Sequence, residues 1–276
     1  MPTGTTGPMA DRLSESTVFI TGSTQGIGLA IARAFASRGT RIAIHGIATR
    51  AQVESATALL RSEGARDTCY FEGDLRDPLA VARLVAAVEA WSCIDILVNN
   101  AGIQRPAAIE HVSRTTWDEI LGINLTAPFE TMRLVLPAMA ARGYGRVINI
   151  ASVHGLVASV DKAPYVASKF GLVGLSRVAA LEYARVGSAQ SGGVTVNCIC
   201  PGWTDTPLLE SQIAVRAATL GSDARGATAD LLAEKQPTLR MSDPAEIGAL
   251  AVWLAETIAH NVTGAAIPID GGWTAQ

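Results

Sequence analysis

Short apolar runs alternate with longer amphipathic segments along this 276-residue chain. The apolar runs hold five to seven residues, are rich in Val and Ile, and end at small or polar residues. That pattern is typical of strands buried on both faces of a parallel sheet. The predicted strands span residues 17–21, 41–45, 68–72, 95–99, 147–151, 194–200 and 265–269.

The segments between these runs carry the 3.6-residue period of helices. The clearest are residues 29–38, 78–91, 122–142, a helix that Pro164 begins, and 244–256. Regular alternation predicts an α/β fold, with one doubly wound parallel sheet of about seven strands in a single domain over residues 17–276. Residues 206–236 are helical but lie outside the alternation, and we interpret them as a lid over the site. Residues 1–16 have Pro, Gly and Thr but no apolar core, which predicts a disordered lead-in.

Composition and charge argue against several classes of partner and location. The net charge is −3 and the basic residues are dispersed, which argues against a nucleic acid or an anionic membrane as partner. No apolar run approaches the roughly 18 residues of a membrane-spanning helix. The N-terminus does not resemble a signal peptide, and the four cysteines lack metal-ligand spacing. We therefore expect a cytoplasmic protein without a metal.

The candidate catalytic residues lie where the fifth predicted strand ends and the next helix begins. Ser152 ends that strand, and ligands of open α/β sheets bind at this edge. Tyr165 and Lys169 fall at i and i+4 on one helix face. A phenol can exchange a proton with an alcohol if its pKa is lowered by about 3 units, and a nearby ammonium has the right charge to lower it. The chain has three lysines, Lys162, Lys169 and Lys235, and two of them flank Tyr165.

A glycine-rich turn follows the first predicted strand. Gly22, Gly26 and Gly28 precede a helix, so backbone N–H groups can approach a pyrophosphate without interference from Cβ atoms. The second strand ends in His45 and lacks the acidic residue that binds the ribose of NAD in many such folds. Arg50 could instead bind the 2′-phosphate of NADP, but the favoured interpretation places it on the solvated face of the helix that follows. From the residues alone this choice stays open.

Two further segments are suggestive. Asn100, Ala101 and Gly102 follow the fourth strand, and their small side chains would let the backbone pass close to a flat ring. Asn124 lies near the start of the predicted helix 122–142, where its amide could hold a water or a bent backbone, or could simply cap the helix.

With these motifs in order, the chain resembles the short-chain dehydrogenase/reductase family from Thr17 to the C-terminus. The resemblance implies a Rossmann-type fold and a catalytic set in which Tyr165 is the acid/base, Lys169 also binds the nicotinamide ribose, Ser152 holds the substrate oxygen and Asn124 positions a relay water. It also implies a cofactor site made of Gly22, Thr24, Gly26, Ile27, Gly28, Asp74, Asn100, Ala101, Gly102, Tyr165, Lys169 and Pro201.

Within the family, NNAGIQ, the stretch from Asn149 to Lys169, LLAEKQP and DGGWTAQ are similar to bacterial D-3-hydroxybutyrate dehydrogenases. This closer resemblance implies NAD as cofactor, because that group uses NAD without the acidic residue. It implies a homotetramer assembled through the helices that begin at Gly122 and Pro164. It also implies that a small anionic hydroxy acid is bound by Gln104, Ser152, His154, Lys162, Tyr165 and Gln212, with Trp203 nearby. Residues 188–193 depart from the pattern as a short insertion away from the carboxyl edge of the sheet.

Alternatives remain at this point. His154 could cap a turn, Lys162 could be solvated, and Gln104 and Gln212 could be surface amides. Another enzyme of the family, acting on 3-oxoacyl thioesters or sugar alcohols, would give Lys162 no role. A dinucleotide-binding protein without turnover would leave the Asn, Ser, Tyr and Lys set unexplained.

Overall fold

A computed structural model describes residues 12–188 and 191–275 of the chain. Its strands match the predicted ones to within a few residues. They are β1 Thr17–Ile20, β2 Arg41–His45, β3 Asp67–Phe71, β4 Ile96–Asn99, β5 Tyr144–Ile150, β6 Gly193–Pro201 and β7 Ala266–Ile269.

All seven strands form one parallel sheet in the order β3-β2-β1-β4-β5-β6-β7. The chain starts in the middle, builds outward to β3, and then returns to the other side of β1. The order therefore reverses between β1 and β4, and a crevice opens there at the carboxyl ends of the strands. The predicted doubly wound Rossmann-type fold is confirmed.

Helices cover both faces of the sheet because each strand is apolar on both sides. One face packs on Ile31, Phe35 and Ile247, and the other on Val85 and Val135. The helices are α1 Gly26–Ala36, α2 Arg50–Ser62, α3 Pro78–Trp91, α4 Arg114–Leu121, α5 Ala127–Arg142, α6 Ala163–Tyr183, α7 Pro207–Leu220, α8 Ala224–Lys235 and α9 Pro244–Ala255.

The N-terminal prediction needs a correction. Residues 1–11 of the expected lead-in lie outside the described residues. Residues 12–16 do not form a disordered segment, because Leu13–Glu15 is a 3₁₀ turn and Leu13 is 1% exposed within the core cluster on one face of the sheet. A single leucine in a polar stretch was too weak a signal to predict this packing.

The helix predicted to start at Gly122 begins eight residues earlier. Ser113 caps α4 by accepting a hydrogen bond from the N–H of Thr116 at 3.1 Å, and α4 continues into α5 through a π-helical turn, Gly122–Thr126. The first two turns, Arg114–Leu121, are mainly polar, so the hydrophobic pattern did not predict a helix there. A π turn in a long helix often marks a functional site, and this one contains Asn124.

Two other predicted segments can be placed. The segment 206–236 consists of two helices, α7 and α8, joined at Gly221. Ala189 and Gln190 of the 188–193 insertion lie outside the described residues, whereas Ser191 lies close to Gly143, before the amino end of β5. The described part of the insertion is therefore at the sheet edge opposite the crevice. Within residues 12–188 and 191–275, no helix is long and apolar enough to cross a membrane.

Candidate active site

A cavity of about 690 Å³ lies at the carboxyl ends of the strands. It runs from the glycine-rich turn to the helices of residues 206–236, so one space takes in both predicted binding regions. The predicted site residues that line it are Gly22, Thr24, Gly26, Ile27, Asp74, Asn100, Ala101, Gly102, Gln104, Ser152, His154, Lys162, Tyr165, Lys169, Pro201, Trp203 and Gln212. Gly28 and Asn124 are not among the lining residues and lie behind the wall.

The glycine-rich turn is shaped by close backbone contacts. Gly22 has φ +63°, and a Cβ there would lie 2.9 Å from the Cα of Ala101. A Cβ at Gly28 would lie 2.2 Å from the carbonyl oxygen of Gly22. Asn100 donates from Nδ2 to that carbonyl at 2.8 Å. These contacts press the turn against the start of α1, which leaves a cradle that suits the pyrophosphate of a dinucleotide.

At the adenosine end of the cavity the lining cation is Arg76 and not Arg50. Arg50 lies on the solvated face of α2, is paired with Glu54 at 2.7 Å and does not line the cavity. Arg76 does line it, and its guanidinium donates to both oxygens of Asp74, at 3.0 and 2.7 Å. Arg76 also lies 3.7 Å from Glu119. Its charge is thus balanced by two carboxylates, and Arg76 lowers the pKa of Asp74.

Tyr165 and Ser152 meet at the centre of the cavity. Ser152 follows β5 and its Oγ accepts a hydrogen bond from the N–H of His154 at 3.1 Å, while its side chain also bonds Tyr165. Burial raises the pKa of Tyr165, and the hydrogen bond with Ser152 opposes that rise. The lowered pKa expected for Tyr165 is therefore not observed, because desolvation of the phenolate outweighs the hydrogen bond with Ser152.

Lys169 lies one turn beyond Tyr165 on α6. Its Nζ donates to the carbonyl of Ile150 at 2.8 Å and lies 5.6 Å from the centre of the Tyr165 ring. Burial lowers the pKa of Lys169 to about 8. The ammonium is thus held at the end of β5, where it faces Gly102 and the floor of the cavity.

Asn124 is fully buried and does not cap a helix. Its Oδ1 accepts from the N–H of Ile103 at 2.9 Å, and its Nδ2 donates to the Ile103 carbonyl at 2.9 Å and to Ser168 Oγ at 3.3 Å. The amide thus clamps the backbone that follows β4 to the π turn and to α6. Of the possibilities left open by the sequence, capping is excluded, and the amide instead binds the backbone of Ile103 from within the π turn.

The predicted substrate residues converge beyond Tyr165. Nζ of Lys162 lies 3.4 Å from Nε2 of His154 and 3.5 Å from Oε1 of Gln212. Nε2 of Gln104 reaches the same Gln212 oxygen at 3.5 Å. Lys162 also lies 4.9 Å over the ring of Trp203. The alternatives of a solvated Lys162 and of surface amides do not hold, since these side chains meet at one end of the cavity.

Protonation at this end follows from the contacts. Nδ1 of His154 lies 3.3 Å from the Val157 carbonyl, which can only accept, so this nitrogen carries the proton and Nε2 is free to accept from Lys162. Burial and the ammonium of Lys162 lower the pKa of His154 to about 4. Burial lowers the pKa of Lys162 to about 8. Near pH 7 the pair is a neutral imidazole beside an ammonium.

Trp273 is a further residue of the site that the sequence pattern did not predict. The chain returns to the site after β7, and Trp273, 7% exposed, lines the cavity with its ring centre 5.4 Å from those of Trp203 and His154. Asp270 fixes this last turn by accepting from the backbone N–H groups of Gly272 and Thr274. The signal available was the Gly271-Gly272 pair just before an aromatic residue. Three rings thus close the end of the cavity and favour a short substrate.

Among the described residues, no group of three or more His, Cys, Asp or Glu side chains is placed to hold a metal ion. The polar groups around Tyr165 are a hydroxyl, amides, an imidazole and two ammonium groups. Such a set can bind an anion that carries an alcohol and can exchange a proton with it.

Comparison with known proteins agrees with this geometry. Residues 16–216 match the family model described as short chain dehydrogenase. The chain is 45% identical to a D-beta-hydroxybutyrate dehydrogenase of Cupriavidus necator over 96% of the chain and 100% of that protein, and 41% identical to one of Rhizobium meliloti over 94% and 99%. Its structure is similar to that of an actinorhodin polyketide ketoreductase variant with NADPH, with a TM-score of 0.86, 33% identity and coverage of 95% and 99%.

Proposed function

The chain belongs to the short-chain dehydrogenase/reductase family of oxidoreductases, and on this basis we propose that it oxidises D-3-hydroxybutyrate to acetoacetate with NAD. The observation that carries the proposal is the position of Lys162. Its ammonium meets His154 and Gln212 at the closed end of the cavity that holds Ser152 and Tyr165, and Gln104 reaches the same Gln212 oxygen. A charged group with several hydrogen-bonding partners there suits a carboxylate two bonds from the reacting carbon.

Proton transfer in this proposal belongs to Tyr165. The alcohol proton passes to its oxygen, while Ser152, bonded to Tyr165, holds the same substrate oxygen. A bound NAD would supply the acceptor for the hydride of the alcohol carbon and a positive charge that favours the phenolate of Tyr165. Lys169 adds a second positive charge nearby and is the side chain that would hold the nicotinamide ribose. Asn124 would support a water that passes the proton to solvent.

The proposal includes a lid role for α7 and α8, the two helices of residues 206–236. Gln212 on α7 contacts Lys162, which precedes α6, and Gln104, which follows β4. Arg216 pairs with Asp230, and with Glu234 at 3.1 Å, so α7 and α8 are tied together as one unit. Movement of this unit over a bound acid would exclude water from the reacting atoms.

We expect NAD to be preferred over NADP. Arg76 lines the adenosine end but is bonded to Asp74, and Arg50 is bonded to Glu54 on the solvent side. A 2′-phosphate would have to compete for Arg76 against a carboxylate already in place, which disfavours NADP.

A steady-state assay tests substrate and cofactor together. We expect NADH formation with the D but not the L isomer of 3-hydroxybutyrate, and a higher kcat/KM with NAD than with NADP. A neutral secondary alcohol of similar size serves as the control for the carboxylate. Higher efficiency with NADP, or with the neutral alcohol or a 3-oxoacyl thioester, would contradict the proposal and favour another reductase of this family.

Assembly as a homotetramer is part of the proposal, with a cytoplasmic location. The outward faces of α5 and α6 carry apolar side chains that one chain leaves exposed, namely Phe129 at 43%, Phe170 at 45%, Val178 at 52% and Leu181 at 78%. Exposed apolar side chains on two neighbouring helices are expected to be covered by another copy. Light scattering at micromolar concentration should give four times the chain mass, and Leu181→Glu should shift the distribution to smaller species. A wild-type monomer would contradict this.

A further inference from the structure

His45 takes the place at the end of β2 that an acidic residue occupies in many NAD-binding folds, and it is 3% exposed. Its Nδ1 lies 3.2 Å from the N–H of Gly22, and its Nε2 lies 2.9 Å from the carbonyl oxygen of Gly73. The N–H of Gly22 can only donate and the Gly73 carbonyl can only accept. The ring is therefore a neutral imidazole with its proton on Nε2.

These two hydrogen bonds join three neighbouring strand ends. Gly22 is in the turn after β1, His45 ends β2, and Gly73 follows β3. Ser23 adds to the join, since its N–H donates to the His45 carbonyl at 2.7 Å and its Oγ accepts from the N–H of His45 at 3.0 Å. The ring edge packs against Phe19 with the centres 6.5 Å apart.

Both polar backbone atoms of Gly22 are thereby held by side chains. Its N–H meets His45, and its carbonyl accepts from Asn100. The segments on either side of His45, around Gly22 and around Gly73 and Asp74, all line the adenosine half of the cavity. Both ring nitrogens are occupied, so the imidazole offers no polar atom to a ribose.

We propose that His45 is a positioning residue for the dinucleotide, a neutral imidazole that fixes the glycine-rich turn and the Gly73–Asp74 loop at the spacing the cofactor needs. It acts on the cofactor through Gly22 and Gly73 and does not contribute a ligand of its own. Without it, both loops would have to be ordered at the moment of binding, which weakens affinity. The proposal rests on the proposed dinucleotide-dependent function, but not on which acid is oxidised.

The test compares His45→Phe, which keeps a ring of similar size and loses both hydrogen bonds, with His45→Gln, whose amide can accept from Gly22 and donate to Gly73. NADH and NADPH binding are each measured by fluorescence titration without hydroxy acid. We expect His45→Phe to raise the Kd of the preferred cofactor by about 10- to 100-fold, and His45→Gln to recover most of that loss. Tyr70→Phe is the control, because it removes a 2.6 Å hydrogen bond to the Gly46 carbonyl at the same strand end without touching either loop.

Steady-state kinetics complete the test. His45→Phe should raise the KM for the cofactor while kcat at saturation and the KM for the acid stay within about twofold, whereas a merely structural defect would change all three. Unchanged NADH affinity, equal losses in the Phe and Gln variants, or an equal loss in Tyr70→Phe would overturn the assignment. If His45→Phe does not fold, His45→Leu applies the same criteria with a smaller side chain. Normal cofactor binding with no acid oxidised would instead point to failure of the proposed substrate.

Discussion

Tyr165→Phe is expected to lower kcat by about 10²- to 10⁴-fold, the usual contribution of a general acid/base. The substitution removes only the hydroxyl, which bonds Ser152 at the centre of the cavity. The ring stays packed edge-on to His154, 6.0 Å away between centres. NADH affinity should therefore change little. Stopped-flow or steady-state measurement of NADH formation at saturating substrates gives kcat, and a fluorescence titration gives the affinity.

Tyr183→Phe is the matched control, because it removes a hydroxyl from the same helix at a partly buried position that packs against the core on one face of the sheet. Its kcat should equal that of the wild type. Retention of more than about a tenth of the wild-type rate by Tyr165→Phe would exclude Tyr165 as the acid/base.

Lys162→Ala is expected to raise the KM for 3-hydroxybutyrate by roughly 10- to 150-fold, because a charged hydrogen bond to the carboxylate contributes about 1.5 to 3 kcal/mol. The KM for a neutral alcohol should be nearly the same as in the wild type. Since the Lys162 ammonium also lies over Trp203, Lys162→Met keeps the apolar stem and separates loss of charge from loss of packing. Both variants should lose affinity for the acid to a similar degree.

Lys169→Ala is compared with Lys162→Ala, because both lysines line the same cavity. Its ammonium lies at the end of β5 beside the Tyr165 ring, so its loss should chiefly depress kcat. An unchanged KM for the acid in Lys162→Ala, or equal harm to acid and neutral alcohol, would remove the carboxylate site.

The pH dependence gives an independent check on Lys162. Burial lowers its pKa to about 8, so the free enzyme carries the ammonium below that pH and loses it above. The KM for the acid should be flat below about pH 8 and rise above it in the wild type. In Lys162→Ala the KM should not rise over this range, because the group that binds the acid is gone. Lys169 also has a pKa of about 8, and its titration should change kcat instead. A wild-type KM that is constant to pH 9.5 would contradict this assignment.

Much of the fold could be predicted from local pattern. Each strand is a short apolar run, and alternation with helices restricts the sheet to a doubly wound parallel form, because right-handed crossovers are nearly obligatory. The glycine spacing and the pair Tyr165 and Lys169 on one helix face are local as well. Most of the predicted site residues line a single cavity for this reason, since parallel strands bring their carboxyl ends to one edge.

Other features depended on contacts between residues distant in the sequence. Trp273 reaches the site because β7 pairs beside β6, and His45 replaces an acidic residue with an imidazole whose role is defined only by Gly22 and Gly73. The protonation state of Tyr165 could not be predicted from the sequence either. The spacing of Tyr165 and Lys169 indicated a lowered phenol pKa, yet burial raises it. Local period and turn chemistry determine which elements form and in what order, whereas desolvation and long-range hydrogen bonds exist only once those elements have packed.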